Sequence, residues 1–426
     1  MTNYLSNLQF NSARSQVMHI DLNSCFATIE QQANHFLRGR PIAVAAYTTP
    51  NGCILAPSVE AKRYGVKVGM RVKDAKVLCS DLYVMTTDPN KYRYVHLKLR
   101  EVLSCYTNEF SPKSIDEFVL NLNNTPSEDI KLMSVFDIGR EIKSRIKNEI
   151  GDYITVSIGV APNRFLAKTA SNLEKPDGLC EINAENHKDV YSRLELMDLC
   201  GIASNNLARL NSFKIFTVLD FYNAPPSTLH AAFNAVTGYY WHLRLRGWEI
   251  EDYESKRKSF SNSYSLPKPA NNLVALTPIL TKLVEKMCFR LRADGFKTQG
   301  VYLALRYSDH TSWHESTKTS KVLFDSRDIY KEILHLYSRS PKKSVVLAAV
   351  GCFNLVELDQ LQLGIFEDLP KKERLTKALD EINNKWGYFI LSPASMLSKE
   401  KYVPDRIGFG RIRELDKGDF DALQSW

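Results

Sequence analysis

The chain has 426 residues, of which 44% are apolar, 24% charged and 11% aromatic. This composition is typical of a soluble globular protein and excludes a disordered or collagen-like chain. The length favours two to four domains over a single core. No run of about 18 apolar residues occurs, and the first 15 residues lack the layout of a secretion signal. The sequence therefore predicts a cytoplasmic protein without a membrane segment.

The cysteines and the charges narrow the function classes further. The eight cysteines are widely spread and include no C-x-x-C pair, which indicates buried free thiols rather than a zinc site. The net charge of +8 is concentrated in residues 257–350, which contain 16 lysines and arginines against 7 acidic residues. Such a surplus fits either a surface for a polyanion or an ordinary solvated basic surface, and charge alone favours the latter.

In chain order, the first predicted strand covers residues 17–22 and passes into a helix at Asn23 and Ser24, which favour turns and helix caps. A strand over 42–47 ends at a turn signal, and a short strand and a helix closed by Gly65 follow. The next elements are predicted to be helix 89–106, strand 118–122, helix 133–150, strand 153–160 and helix 163–173. Their alternation predicts an α+β layer in which helices back a mixed sheet.

The second half of the chain has a different pattern. Residues 190–256 are predicted to be wholly helical, and the charged run 256–258 predicts a short linker. The order strand, helix, strand, strand, helix, strand is then predicted over 260–266, 273–294, 299–307, 312–324, 326–338 and 344–354. This is the pattern of a small split sheet. Residues 359–426 form a mixed-charge tail with one predicted helix, 371–385.

Three acidic residues are the best candidates for chemistry. Asp21 closes an apolar strand, and Asp116 and Glu117 occupy a turn between two strands some 95 residues later. If these strands are neighbours, the three carboxylates converge. Magnesium prefers oxygen ligands and needs only one or two protein carboxylates in addition to substrate phosphates. The alternative is that Asp21 caps a helix and the Asp116-Glu117 pair is an exposed turn.

Four runs in this order along the chain resemble the successive motifs of the Y-family translesion DNA polymerases. They are His19-Ile20-Asp21-Leu22-Asn23-Ser24-Cys25-Phe26-Ala27, Glu60-Ala61-Lys62-Arg63-Tyr64-Gly65-Val66, Ser114-Ile115-Asp116-Glu117, and Val156-Ser157-Ile158-Gly159-Val160-Ala161-Pro162-Asn163-Arg164-Phe165-Leu166-Ala167-Lys168. The resemblance continues through Leu173-Glu174-Lys175-Pro176-Asp177-Gly178 and covers roughly residues 16–356. It is strongest to the bacterial enzymes of the polymerase IV and polymerase V catalytic-subunit kind.

This resemblance implies an α+β, right-hand-like polymerase. Its domains would be a palm, small fingers, a helical thumb, a linker, a β-α-β-β-α-β little finger and a C-terminal tail. The corresponding residues are 1–24 and 87–175, 25–86, 176–256, 257–263, 264–358, and 359–426.

The resemblance also implies the activity. The protein would be a template-directed DNA polymerase that extends a primer with deoxynucleotides, performs translesion synthesis with low fidelity and lacks proofreading. It would act in DNA repair and the SOS response, in the bacterial cytoplasm at the nucleoid. Two Mg²⁺ ions would be held by the catalytic carboxylates Asp21, Asp116 and Glu117 and by the carbonyl of Leu22.

Several positions match the family's nucleotide-binding residues. Phe26 matches the steric gate, an aromatic ring that leaves no room for a 2′-hydroxyl, although it also fits a core phenylalanine. Lys168 matches a residue that contacts the triphosphate; the alternative is a solvated helix lysine. Many relatives grip the phosphates with a tyrosine and an arginine where this chain has Val59 and Lys62. Lys62 still supplies charge, and Ser58 is a candidate for the missing hydrogen bond.

The contacts with macromolecules are implied in the same way. Gly201 and Ala203 fall in a segment that resembles the helix-hairpin-helix of the thumb, which meets a DNA phosphate; a simple helical hairpin is the alternative. Gln362, Leu363 and Phe366 belong to a short peptide that resembles a sliding-clamp-binding motif, or else to an ordinary apolar chain end. Two other functions stay open as rivals: a non-catalytic DNA-binding or clamp-associated protein that retains the fold, and a two-metal nuclease.

Overall fold

The structure is a computed structural model that describes residues 8–250, 257–357, 369–387, 389–397 and 402–404. The chain divides into two compact units, Met1–Asp252 with Arg406–Trp426, and Tyr253–Asp405. The proposed clamp peptide with Gln362, Leu363 and Phe366 lies outside the described residues. Within the described ranges, no helix combines the length and the hydropathy needed to cross a membrane.

The first unit contains two sheets and the helices that pack on them. Its strands are β1 (Val17–Leu22), β2 (Ile42–Ala45), β3 (Ile54–Pro57), β4 (Tyr83–Thr86), β5 (Glu109–Pro112), β6 (Glu117–Asn121), β7 (Val156–Ala161) and β8 (Leu179–Glu181). Its helices are α1 (Cys25–Ala33), α2 (Val59–Arg63), α3 (Val72–Leu78), α4 (Pro89–Ser104), α5 (Glu128–Leu132), α6 (Val135–Glu149), α7 (Arg164–Leu173), α8 (His187–Arg193), α9 (Ser204–Ser212), α10 (Val218–Asn223), α11 (Pro226–Phe233) and α12 (Thr237–Arg244).

The larger sheet has five strands in the order β5-β6-β1-β7-β8. β1 lies at the centre and pairs antiparallel with β6 and β7, while β7 and β8 are parallel. Apolar residues of β1, α1, α4 and α6 form the core on one side of this sheet. The predicted mixed sheet backed by helices is confirmed. Because β1 is the central strand, its C-terminal end lies in the middle of the side where the strands end, which is called the sheet edge below.

The smaller sheet has the order β3-β2-β4, with β2 and β4 parallel, and it carries α2 and α3 on its own small core. Residues of β2 and β3 also belong to the core of the larger sheet. The helical segment that follows β8 is confirmed for the described residues, with α8 to α12 around the buried Trp241.

The second unit is a four-stranded antiparallel sheet with two helices on one face. Its elements are β9 (Ser259–Ala270), α13 (Leu273–Ala293), β10 (Phe296–Tyr307), β11 (Ser312–Leu323), α14 (Ser326–Ser338), β12 (Val345–Glu357) and α15 (Leu369–Trp386). The strand order is β11-β10-β12-β9, so the predicted split sheet is confirmed. The predicted linker 257–263 is wrong over most of its length, because β9 begins at Ser259 and buries Phe260 in the core.

The predicted tail helix is present as α15, and it packs on the helical side of the second unit through charged groups. Arg292 makes two hydrogen bonds of 2.7 Å with the carboxylate of Asp380, and Lys297 pairs with Glu373. Lys372 of α15 donates to Asp328 over 2.8 Å. Acidic residues of the tail therefore neutralise part of the positive surplus of residues 257–350.

Candidate active site

The three candidate carboxylates lie at one end of the central sheet. In the antiparallel register of β1 and β6, Asp21 stands opposite Glu117. The backbone N–H of Leu22 donates to the carbonyl of Asp116 over 2.9 Å. All residues of β1 except Asp21 are buried. The core contacts therefore fix the strand, and Asp21 is presented at the sheet edge. The structure therefore brings together the backbone positions of the three acids that the sequence predicted.

The turn that carries Asp116 is held by polar groups around it. The Ser114 hydroxyl accepts the backbone N–H of Glu117 over 3.1 Å and donates to the Asp116 carboxylate. His96 of α4 places Nδ1 2.8 Å from the carbonyl of Ile115. Burial raises the pKa of Asp116, and the negative charges of Asp21 and Glu117 raise it further, although the Ser114 hydrogen bond opposes this. This edge of the sheet therefore concentrates negative charge.

Helix α7 brings Lys168 to Glu117. Asn163 caps the helix by accepting the N–H of Leu166, and Gly159 of β7 allows the close approach, because a Cβ there would come within 2.1 Å of the helix backbone. The Lys168 ammonium lies 2.6 and 2.7 Å from the two oxygens of Glu117. Burial alone would raise the pKa of Glu117, but His19 and Lys168 outweigh it and lower that pKa to about 2.

Lys175 is a site residue that the sequence reasoning missed. Its ammonium lies 2.8 Å from Oδ1 of Asp21, in an ion pair whose acid side chain is 13% exposed. The loop that carries Lys175 is anchored next to β1, since the N–H of Asp177 donates to Oδ1 of Asn23 over 2.8 Å. The sequence signal for Lys175 is its place in the run Leu173 to Gly178, which resembles the family's motif.

In the described part of the chain, the side chains at this edge are not arranged as a complete set of metal ligands. Within the described ranges, no group of three or more His, Cys, Asp or Glu side chains stands in an arrangement that could hold a metal ion. Asp21 and Glu117 are paired with lysines instead. The donor set nevertheless suits a divalent cation, because carboxylate oxygens are the ligands that magnesium prefers. Burial is the main cause of the raised pKa of Asp116, and the smaller contribution from Asp21 and Glu117 is a repulsion between carboxylates that such a cation would relieve.

A cavity of about 590 Å³ opens beside the carboxylates. Asp21 and Asp116 line it on the sheet side, and Val59, Lys62 and Arg63 line it on the α2 side. The remaining lining residues are Leu22, Asn23, Ser24, Cys25, Leu55, Ala56, Pro57, Val68, Lys175 and Pro176. Lys62 therefore lines the same cavity as Asp21 and Asp116, and its contact with a nucleotide stays a prediction; Arg63 is a second cation in the lining that the sequence prediction did not include.

Ser58 does not line this cavity, and its assignment to the nucleotide is wrong. The residue is fully buried. Its hydroxyl caps α2 by accepting the N–H of Ala61, and it also accepts the N–H of Ile42 and donates to the carbonyl of Arg40. A serine directly before a helix is the usual N-cap, and this is the role that the structure gives Ser58.

Phe26 lies behind the cavity wall, which is formed here by Ser24 and Cys25. Its ring is fully buried and stacks on Tyr92 with centroids 4.3 Å apart. Tyr92 is fixed in turn, because its hydroxyl donates to Glu30 over 2.9 Å. The phenylalanine is thus held rigidly, and its role as a steric gate stays a prediction.

The segment with Gly201 and Ala203 forms the entry to α9. Gly201 has a φ of +99°, a left-handed conformation that favours glycine, and Ala203 is the N-cap residue of the helix. Leu199 and Ile202 are buried in the helical core. Both the helix-hairpin-helix and its contact with a phosphate stay predictions.

In the second unit, the sheet face opposite α13 and α14 is here called the open face. Its side chains in register are Ser261, Ser263 and Ser265 of β9, Tyr302, Ala304 and Arg306 of β10, His314, Ser316 and Lys318 of β11, and Leu347, Ala349 and Phe353 of β12. The rings of Tyr302 and Phe353 lie flat over Gly351 and Gly300, where a Cβ would come within 2.1 and 2.6 Å of them. The open face is therefore rich in hydroxyl groups and low in acidic groups.

Comparisons with known proteins agree with this architecture. The sequence model of the impB/mucB/samB family matches residues 20–172, and the model of the family's C-terminal domain matches residues 257–365. DNA polymerase IV 1 of Bacillus subtilis (strain 168) is 28% identical over 395 residues, which cover 90% of this chain and 94% of that protein. DNA polymerase IV of Moorella thermoacetica is 29% identical over 396 residues, covering 91% and 97%.

Solved structures of the same class share the fold. A Y-family DNA polymerase chimera of Dbh and Dpo4 superposes with a TM-score of 0.68 at 22% identity, covering 80% of this chain and 99% of the chimera. An insertion ternary complex of Dbh DNA polymerase gives a TM-score of 0.55 over the same shares. Since the two sequence models together match more than half of the chain, the protein belongs to the impB/mucB/samB family of Y-family translesion DNA polymerases. Membership of this family implies a divalent metal cofactor.

Proposed function

We propose that the protein is a DNA-directed DNA polymerase that performs translesion synthesis, with Asp21, Asp116 and Glu117 holding two Mg²⁺ ions assisted by the carbonyl of Leu22. The observation that carries this proposal is that the backbone positions of the three acids meet at the ends of two neighbouring strands, where Asp21 and Asp116 line a cavity together with several cations. Fold stability does not explain this cluster of acids, because neighbouring carboxylates repel one another. The named relatives are DNA polymerases, which agrees with this assignment.

The residues around the cavity divide the chemistry between them. When bound, the metal ions lower the pKa of the primer 3′-hydroxyl and neutralise the charge that develops on the phosphates. Lys62, Arg63 and Lys175 line the cavity and would bind the triphosphate of an incoming deoxynucleotide. Lys168 holds Glu117 through both oxygens; we retain its contact with the triphosphate as a proposal.

In this proposal, residues at the cavity wall select the sugar of the nucleotide and set how its phosphates are bound. Phe26 and Tyr92 form a rigid stack behind Cys25, which would exclude a 2′-hydroxyl if the sugar packs against it. Val59 offers no side-chain hydrogen bond, so the grip on the phosphates would depend on charge more than on directional bonds.

DNA binding is proposed separately for each unit. In the first unit, the backbone at Gly201 and Ala203 would contact a phosphate in the thumb. In the second, the open face would contact phosphates through Arg306, Lys318 and its serines, without reading sequence. The domain limits predicted from the sequence, other than those of the linker, are part of the same proposal, as are a clamp-binding peptide with Gln362, Leu363 and Phe366 and action at the bacterial nucleoid.

A primer-extension assay tests the function directly. The full chain is mixed with a 5′-labelled primer, an undamaged or abasic template, dNTPs and Mg²⁺, and the products are separated by length. A polymerase lengthens the primer in steps of one nucleotide and needs the template. A two-metal nuclease would shorten the primer, and a non-catalytic DNA-binding protein would leave it unchanged; either result rules out the proposed activity.

A further inference from the structure

The ion pair between Lys175 and Asp21 lies at the point where the proposed metal and nucleotide sites meet. The ammonium is 2.8 Å from Oδ1 of Asp21, and both residues line the same cavity. A carboxylate oxygen that is paired with an ammonium group at this distance is shielded from a metal ion. Lys175 and a cation therefore compete for the same oxygen atom.

The attachment of Lys175 favours movement of its side chain rather than of its backbone. The following residues are fixed, because the N–H of Asp177 donates to Asn23 and Lys143 pairs with the Asp177 carboxylate over 2.9 Å. The Lys175 side chain is 35% exposed, whereas Asp21 is 13% exposed. A long, partly exposed lysine on a fixed loop can exchange one anionic partner for another with little reorganisation.

A second cation makes this exchange favourable when a polyanion enters. Lys62 lies across the cavity, and its ammonium is repelled by that of Lys175 and attracted by Asp21. A triphosphate bound between the two lysines would relieve their repulsion and draw Lys175 away from Asp21. The carboxylate oxygen would then be free at the moment when the nucleotide is in place.

We propose that Lys175 is an exchangeable counterion of Asp21: it blocks a metal-binding oxygen in the nucleotide-free enzyme and releases it when it transfers to a triphosphate. This inference rests on the proposed function and adds a coupling between nucleotide and metal to it. Because Lys175 would compete with the metal for Asp21 and bind the triphosphate, removing it should strengthen metal binding without nucleotide and weaken nucleotide binding. By reciprocal linkage, nucleotide and metal should raise each other's affinity by the same factor. Lys175 acts as a positioning residue for Asp21 as well as a ligand of the triphosphate.

The first experiment measures Mn²⁺ binding to the full chain without nucleotide, by calorimetry, for the wild type, Lys175→Met, Lys62→Met and Asp21→Asn. Loss of a partly buried competing charge is expected to tighten binding about three- to tenfold in Lys175→Met. Lys62→Met removes the same charge from the same cavity, but Lys62 forms no ion pair within the described ranges. The change in log Kd for Mn²⁺ caused by Lys62→Met should be less than half of the change caused by Lys175→Met. Equal or weaker binding by Lys175→Met, or an equal gain in Lys62→Met, overturns the exchange.

The second experiment measures dNTP binding in EDTA and uses a double-mutant cycle. Asp21→Asn should raise dNTP affinity in the wild-type background, because it frees Lys175, and should raise it much less in the Lys175→Met background. An equal increase in both backgrounds means that Asp21 merely repels the triphosphate, and it overturns the exchange. Thermal unfolding of each variant, and repetition with Lys175→Gln, separate these effects from loss of the fold.

The proposed function and the exchange fail in different ways. If the wild type binds no Mn²⁺, or if Asp21→Asn does not weaken Mn²⁺ binding, the metal assignment fails and the exchange fails with it. If Asp21 is needed for Mn²⁺ but Lys175→Met binds it no more tightly, only the exchange is wrong.

Discussion

The carboxylate edge of the first unit and the open face of the second differ in how their basic side chains are paired. At the edge, Lys168 and Lys175 each bind a particular carboxylate within 2.8 Å, and helix, loop and strand are all fixed by further hydrogen bonds. On the open face, Arg306 and Lys318 stand among serines, and neither has an acidic partner within the described ranges.

The difference follows from what each region has to do. A site that stabilises charge during a reaction needs each group at a fixed position. A surface that follows a nucleic-acid backbone needs many weak and interchangeable contacts. A single substitution should therefore have a large effect at the edge and a small effect on the open face, and the following experiments test this difference.

The largest effect is expected for Asp116→Asn. Loss of one ligand charge should remove several kcal/mol of stabilisation and lower the extension rate by about a thousandfold or more. Primer-template affinity, measured by fluorescence anisotropy, should change less than about twofold, because DNA contacts are assigned elsewhere. Asp129→Asn, which removes the same charge from the exposed side of α5, should have no effect on either quantity. Retained extension by Asp116→Asn would contradict the assignment and the contrast together.

The acids at this edge could be predicted from the sequence because short local patterns mark the strands and the turn that carry them. An apolar strand that ends in an acid, and a turn that carries two more, are visible without knowledge of the fold. The register that sets Asp21 opposite Glu117 confirms that the strands are neighbours. The split sheet of the second unit was predictable for the same reason, since its strands and helices have clear periods of two and 3.6 residues.

What the sequence did not reveal depends on contacts between distant segments. Lys175 reaches Asp21 only because Asn23 holds the loop beside β1, and no spacing rule predicts this contact. The assignment of Ser58 failed because a cap and a ligand site use the same hydroxyl group, and only burial separates them. The docking of α15 through Asp380 and Glu373 was hidden because its partners lie about 80 residues away.

The next effect in size concerns Phe26 and tests whether the packing at the edge also sets specificity. Phe26→Ala should reduce discrimination between dNTPs and rNTPs by up to about a hundredfold, the usual limit for rejecting one hydroxyl group by shape. Single-nucleotide insertion kinetics with both sugars measure this ratio. Since the ring is fully buried, Phe26→Ala also destabilises the fold by about 3–5 kcal/mol. Phe221→Ala, at a fully buried position in the helical core, controls for this loss; an unchanged ratio in Phe26→Ala rejects the gate.

A smaller effect should show that ionisation at the edge is shared between neighbours. In the metal-free enzyme, Glu117→Gln removes a negative charge next to Asp116 and frees the Lys168 ammonium, and both changes favour the ionised form of Asp116. The pKa of Asp116 should therefore fall, while burial keeps it from falling fully. Carboxyl ¹³C shifts followed against pH, with Asp116→Asn for assignment, measure it. Glu128→Gln, on an exposed helix, should leave it unchanged. A constant or higher pKa in Glu117→Gln would mean that the carboxylates do not interact.

The smallest effect is expected on the open face and completes the contrast. Arg306→Met should weaken primer-template binding only about two- to threefold, equally for all sequences, and should reduce the salt dependence of log K by about one unit. The exposed Lys331 lies on α14, on the helical side of the same sheet. Lys331→Met therefore removes one charge from the same unit and should change neither quantity. If Lys331→Met weakened binding as much as Arg306→Met, net charge alone would govern DNA affinity, and the open face would have no special role. A loss of a hundredfold or more from Arg306→Met would break the contrast from the other side, because one contact would then be as indispensable there as a carboxylate is at the edge.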